Sequence, residues 1–346
     1  MRDLSIIHKE KEMTEYDLSA FDVNRRRLIC GPTSSLMAIS PLKHAWSRDV
    51  WKLMLANTWF PAEVDLSRDV KDYRNLTEAE RRMYDKALAF LSNLDGIQFN
   101  NLTFNIGEHI TSPEVSMLIS RQAFEEALHV DAYSTMIEAI SSNPFEIYTS
   151  FARDDVLADK NAHIMGQSAG LSNDFTPRNF AMAVVANIIL EGIYFYSGFL
   201  AFYTLARTGK MLGSADMIRF IQRDEVVHLN LFVNMFKTLQ HENPEIFTES
   251  FYSDARRLIT DAVSLEMAWG QHIISGGVLG LTSNIIGDYI RHLANQRGAM
   301  IGFDPIYPGV KNPVAWVEQY SNINGNESNF FEAKVTAYSV GGTLAW

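Results

Sequence analysis

The chain has 346 residues, 47% of them hydrophobic, enough to bury a large core. Its net charge of −11 and pI near 5.3 exclude a nucleic-acid partner gripped through its phosphates. A single cysteine, Cys30, excludes an intrachain disulfide and any cysteine-rich metal site, which fits a reducing cytoplasm.

The first stretch, MRDLSIIHKEKEMTEYD, has no long apolar run, and no secretory signal is expected. Residues 1–40 lack clear periodicity and are set apart as an N-terminal extension, with 41–321 expected to form one helical domain. Thr77-Glu78-Ala79-Glu80 is a capping box, which predicts a helix through MYDKALAFLSNLDGIQFNN. Ser112-Pro113 starts a second helix through EVSMLISRQAFEEALHVDAYSTMIEAI, and Asn143-Pro144 ends that region.

Thr176-Pro177 is a third start. It leads into FAMAVVANIILEGIYFYSGFLAFY, Phe180 to Tyr203, which meets the roughly 20 apolar residues needed to cross a bilayer. Glu191 sits near its centre, where hydrocarbon would make a carboxylate costly, and no second span accompanies it. A helix buried in a soluble bundle is expected, not a membrane anchor. Gly213-Ser214 opens ADMIRFIQRDEVVHLNLFVNMFKTLQ, closed near Asn243-Pro244. Two more helices are expected in DARRLITDAVSLEMAWGQHII and NIIGDYIRHLANQRGAM. With few strand signals, the fold class is all-α. The tail, residues 322–346, is rich in Asn, Ser and Gly yet closes on Leu344 and Trp346. Composition fits a flexible docking peptide and an ordinary frayed terminus equally well.

Two segments share one pattern. Glu125-Glu126-Ala127-Leu128-His129 and Asp224-Glu225-Val226-Val227-His228 are both acid-acid-x-x-His. In each, the second acid and the histidine are spaced i, i+3 and share a helix face. One such pair is weak, because surface helices make it often. Two, each within apolar sequence on a separate long helix, suggest a dinuclear carboxylate bundle, which takes one further acid from each of two other helices. Glu191 and Asp95 are the lone acids in their apolar runs. Asp95, Glu126, His129, Glu191, Glu225 and His228 then supply four carboxylates and two neutral imidazoles, which balance two divalent cations. Four buried acids without cations would cost several kcal/mol each. Hard oxygen ligands with some imidazole suit iron or manganese and disfavour structural zinc. Asp224 is placed as an orienter of a ligand imidazole. Glu125 is left open between the site and solvent.

Tyr133 follows His129 by one helical turn, which puts its phenol close to the metals. Phe195 and Phe199 after Glu191, and Ile218 and Ile221 before Glu225, could line a dry pocket around it. Spacing leaves two roles equally open, a stored radical or a core tyrosine hydrogen-bonded to a ligand.

RQAFEEALH with Tyr133, EGIYFYSGF, RDEVVHLN and TWFPAEVDLSRDVKDY together resemble the radical-generating small subunit of class I ribonucleotide reductase. The similarity runs from about Trp59 to the C-terminus. It implies a ferritin-like bundle with additional helices, usually a homodimer. It also implies an oxidoreductase function: a metal pair uses oxygen or a related oxidant to make an oxidising equivalent, which a separate large subunit uses to reduce ribonucleotides to deoxyribonucleotides. Tyr133 is then the radical residue. Trp59 and Asp224 are links in the radical path, with His129 joining them to the metals. Tyr338 hands the radical across the interface, and the tail becomes the docking peptide for the large subunit. Fe/Fe leads among the metal pairs, with Mn/Fe and Mn/Mn open, and an activating flavoprotein is a further open partner. Two competing readings remain: a bundle oxidase acting on an organic substrate, and an iron-storage protein, which would bind many irons per chain.

Overall fold

The computed structural model describes residues 18–321, except 35, 142, 169, 170, 172 and 173. Among the described residues there are ten helices of eight residues or more, and the only β-pairing is two isolated bridges, Ile29–Ile110 and Val278–Leu281. The ten are α1 (Trp46–Ala56), α2 (Ser67–Arg74), α3 (Glu78–Asn101), α4 (Pro113–Ile140) and α5 (Asp155–Ser168), then α6 (Pro177–Ile189), α7 (Tyr196–Arg207), α8 (Leu212–Glu242), α9 (Glu249–Ile273) and α10 (Ser283–Met300). Helix α3 packs along α4 and α7, α8 along α4, α6 and α7, and α9 against α10. The fold is all-α, as the sequence suggests.

Local chemistry explains most helix starts. Thr77 accepts from Glu80 N at 3.3 Å while Glu80 Oε2 accepts from Thr77 N at 2.9 Å, the reciprocal bonds of a capping box. Thr176 accepts from Asn179 N at 3.1 Å, ahead of Pro177. Two boundaries differ from expectation. Asn143-Pro144 does not simply close a region: α4 ends at Ile140, and Pro144 begins a short helix to Tyr148. Helix α8 starts at Leu212, one residue before Gly213-Ser214, because its cap comes from another helix. The buried Asp69 carboxylate of α2 accepts from Gly213 N at 3.0 Å and Ser214 N at 2.6 Å. Gly213 permits that approach, since a Cβ there would lie 2.5 Å from the Asp65 carbonyl oxygen.

Helices α6 and α7 join through a π-helical turn, Leu190–Tyr194, into one rod from Pro177 to Arg207. It is the one described helix long and apolar enough to cross a membrane, and most of it is buried inside the bundle like a core helix. Arg297 of α10 donates through Nε to the Gly192 carbonyl within the π turn, at 3.2 Å. A Cβ at Gly192 would press on Arg297 Cγ at 2.8 Å.

Part of the stretch without periodicity is packed. Leu28 and Ile29 are buried, and Arg26 pairs with Glu114 at the start of α4 at 3.1 Å. His44 bridges Ser112 (3.0 Å) and Glu242 at the end of α8 (2.9 Å). Away from the acid-histidine cluster, Lys160 of α5 and Glu266 of α9 form a buried ion pair that Ser197 also joins. Lys160 Nζ sits 3.4 Å from the Phe90 ring centroid, a desolvated cation–π contact.

Candidate metal centre

The six residues singled out as ligands meet in the middle of the bundle, all fully buried. Asp95 comes from α3, Glu126 and His129 from α4, Glu191 from the π turn, and Glu225 and His228 from α8. A π turn at a functional residue is a common use of that local geometry. They form two overlapping groups. Asp95, Glu126, His129 and Glu225 make one, and Glu126, Glu191, Glu225 and His228 the other. Within each group the potential ligand atoms lie within 4.8 Å of one another. Glu126 and Glu225 belong to both groups, so either could serve two cations held there.

Both imidazoles turn Nδ1 inward. His129 Nδ1 is 3.1 Å from Glu225 and 3.7 Å from both Asp95 and Glu126. His228 Nδ1 is 2.8 Å from Glu225 and 3.2 Å from Glu126. Their outer nitrogens are tethered crosswise. His228 Nε2 on α8 meets Glu125 of α4 at 2.9 Å, and His129 Nε2 on α4 meets Asp224 of α8 at 3.3 Å. His228 Nδ1 hydrogen-bonds Glu225 here; with a cation in place of that proton, a carboxylate at Nε2 would keep the ring proton outside and turn the Nδ1 lone pair to the ion. Glu125 therefore faces inward, not solvent. Each outer acid has its own arginine: Arg121 Nε lies 3.0 Å from Glu125, and Arg223 Nε 3.5 Å from Asp224. The outer acids are thus charge-paired, and within the cluster the inner four acids face only the two imidazoles as ionisable partners.

The fit to metal ions rests on unmet valences. Both oxygens of Asp95, one oxygen each of Glu126, Glu191 and Glu225, and His129 Nδ1 are buried without a hydrogen-bond partner. Buried polar atoms are rarely left so, and divalent cations would satisfy all of them. Burial, followed by the charges of Glu126 and Glu225 respectively, pushes Asp95 and Glu191 well above the usual carboxylate range. Both histidines are raised despite burial, because acids surround them. Glu225, facing both histidines, is held well below its ordinary value despite its burial. Metal binding to such a cluster displaces protons.

Tyr133 is fully buried beside the cluster, and its hydroxyl makes no hydrogen bond of ordinary geometry. Burial, then the charge of Asp95, raises its pKa well above the ordinary value. Phe195, Phe199, Ile218 and Ile221 are buried in the same core. Trp59 is buried too. Its Nε1 donates to Asp224 Oδ2 at 2.7 Å, and its ring stacks on Phe220 with centroids 5.1 Å apart. Asp224 thus touches both Trp59 and His129. Tyr338 lies outside the described residues.

Sequence reading missed the neutral polar groups around the acids. Gln122 Nε2 donates to Glu126 (3.1 Å) and Glu191 (2.7 Å), and Gln98 Nε2 also donates to Glu191. Their spacing was a usable signal: Gln98 follows Asp95 by three residues, Gln122 precedes Glu126 by four, and Asn187 precedes Glu191 by four.

The fold and the cluster define a helical bundle with a dinuclear carboxylate metal site. The family model described as ribonucleotide reductase, small chain, matches residues 36–313. The ribonucleoside-diphosphate reductase subunit beta of Treponema pallidum is 39% identical over 327 residues, 92% of each chain. That of Halalkalibacterium halodurans is 33% identical over 327 residues, 94% of each. The ribonucleotide reductase R2 subunit from Clostridium botulinum superposes with a TM-score of 0.83 at 39% identity, covering 85% of this chain and 94% of that one. The chain belongs to the ribonucleotide reductase small-chain family, whose bundle is ferritin-like. It is the small-subunit component of an oxidoreductase, and the family implies radical generation for ribonucleotide reduction. The family normally acts with a large subunit and as a homodimer.

Proposed function

We propose that Asp95, Glu126, His129, Glu191, Glu225 and His228 hold two metal ions and that Tyr133 stores the resulting oxidising equivalent as a radical. The observation that best supports this is the crossed pair of histidines, each tethered through Nε2 to the other helix's outer acid with Nδ1 turned into the cluster, where six buried ligand atoms have no hydrogen-bond partner. Two ions held by these residues would supply the redox chemistry, drawing oxidising power from oxygen or a related oxidant. Tyr133 would give up one electron to the oxidised pair together with its phenolic proton. Asp95, the acid that bears most strongly on that phenol, is the proposed proton acceptor. The surrounding apolar side chains exclude water and reductants, so the radical persists.

Trp59 and Asp224 then relay the equivalent away from His129, and Tyr338 passes it to a large subunit docked on the tail, residues 322–346. Fe/Fe is the proposed pair, and the ligand types equally accept Mn/Fe or Mn/Mn. A homodimer in the cytoplasm is the proposed working state, with a flavoprotein activase as a further partner if the pair is manganese. The test is low-temperature EPR with metal analysis of apo protein loaded with Fe(II), Mn(II) or both, then exposed to oxygen. A tyrosyl doublet with two irons per chain supports the reading. A coupled metal signal without the doublet transfers the stored equivalent from Tyr133 to the metals.

A further inference from the structure

The two cation positions differ in how their own acids are held. Neither carboxylate oxygen of Asp95 has a hydrogen bond of ordinary geometry, and its neighbours are His129 and the Tyr133 phenol rather than a pair of amides. Glu191 has one unbonded oxygen: Oε1 accepts from both Gln98 and Gln122, and only Oε2 is left, 3.9 Å from His228 Nδ1. A charge-assisted pair of N–H bonds on one oxygen fixes the carboxylate's rotation as well as its place.

The donor character of Gln98 is enforced from a distance. Asn187 Nδ2 donates to the Ala183 carbonyl at 2.7 Å, and a backbone carbonyl can only accept. Asn187 must therefore turn Oδ1 the other way. There it accepts from Gln98 Nε2 and Asn101 Nδ2, both at 3.0 Å. The Gln98 carbonyl is occupied in turn by Asn101 Nδ2, at 3.0 Å. Gln98 has no orientation but NH2 toward Glu191. All three amides are buried, so water cannot scramble this polarity.

We propose that Asn187, Asn101 and Gln98 are positioning residues: an amide relay, set by the Ala183 carbonyl, that aims Glu191 Oε2 at the second cation position and leaves the Asp95–His129 position unaffected. This rests on the metal-binding reading above. Asn187 touches neither Glu191 nor any other proposed ligand through the bonds described, so its effect on metal affinity has to pass through Gln98.

The experiment is titration of the full-length apo protein with Mn(II), read as free Mn(II) by EPR, for wild type, Asn187→Leu and Gln98→Leu. Apo thermal unfolding of each variant runs in parallel. The expected result is two ions in wild type, with the second bound about 10–100-fold more weakly in both variants and the first unchanged. Equal weakening of both ions, or two ions bound as in wild type, would overturn the relay. Should Asn187→Leu fail to fold, Gln98→Leu and Asn101→Leu carry the same comparison. Fewer than two ions in wild type would instead count against the metal-binding reading itself.

Discussion

Glu125 holds His228, a residue of the opposite helix, at 2.9 Å, while Asp224 holds His129 in the reverse direction. Each Glu-x-x-His helix thus carries the outer partner of the other helix's imidazole. Glu125→Ala frees the His228 ring and leaves Arg121 without its acid. Metal affinity at the His228 position should fall about 10–100-fold. Competition with a fluorescent chelator measures it, and unchanged affinity would reduce Glu125 to a counter-ion for Arg121.

Tyr133→Phe removes a hydroxyl that makes no ordinary hydrogen bond, so stability should change by no more than about 0.5 kcal/mol. Two metals should stay bound while any tyrosyl EPR signal disappears. Loss of metal would make Tyr133 structural. Tyr338→Phe is the contrasting variant: radical and fold intact, ribonucleotide reduction with the large subunit lost. Full turnover there would remove Tyr338 from the relay.

Lys160→Met strands Glu266 in the core with Ser197 as its one described hydrogen-bond partner. Breaking one side of a buried ion pair costs about 3–5 kcal/mol. Burial already brings the Lys160 ammonium down to about 8, opposed by Glu266, so the pair sits in a strongly desolvating place. The double change Lys160→Met with Glu266→Leu should recover most of the loss in urea denaturation. A double variant as unstable as the single would locate the cost in packing against Phe90.

Asp85 gives a pH signature away from the metals. Burial raises its carboxyl from 3.8 to about 6, although Tyr73 donates to it at 2.8 Å. The folded state therefore holds this proton more tightly than the unfolded one. That contribution is full below pH 3.8 and lost as pH rises through about 6. Asp85→Asn keeps an acceptor for Tyr73 without the charge. It should be more stable than wild type by about 1–3 kcal/mol at pH 7, and the gain should vanish near pH 4. Urea midpoints of the two proteins at pH 4, 5.5 and 7 test the trend, and a pH-independent difference would contradict it.

The six acid and histidine positions were legible because helix periodicity is local. An i, i+3 acid and histidine in apolar sequence can only share a buried face, and a lone acid in an apolar run, such as Glu191, needs a reason to be there. Glu125 was ambiguous for the same reason. Neighbours on a helix point about 100° apart, and only the packing of α8 against α4 decides that both 125 and 126 are inside. The start of α8 was misplaced by one residue because its cap, Asp69, lies in another helix. The amide relay and the Lys160–Glu266 pair join residues far apart in the chain. Asn and Gln are common on helices, so their spacing from the acids marks partners only once the packing brings the helices together.

The crossed tethers also act as a ruler. If α8 slid along α4 by one turn, about 5.4 Å, the Glu125–His228 and Asp224–His129 bonds would break together. The helix that carries one histidine is thus indexed by the other's acid. The distance between the two cation positions is written into backbone register, and repacking a single side chain would not reset it.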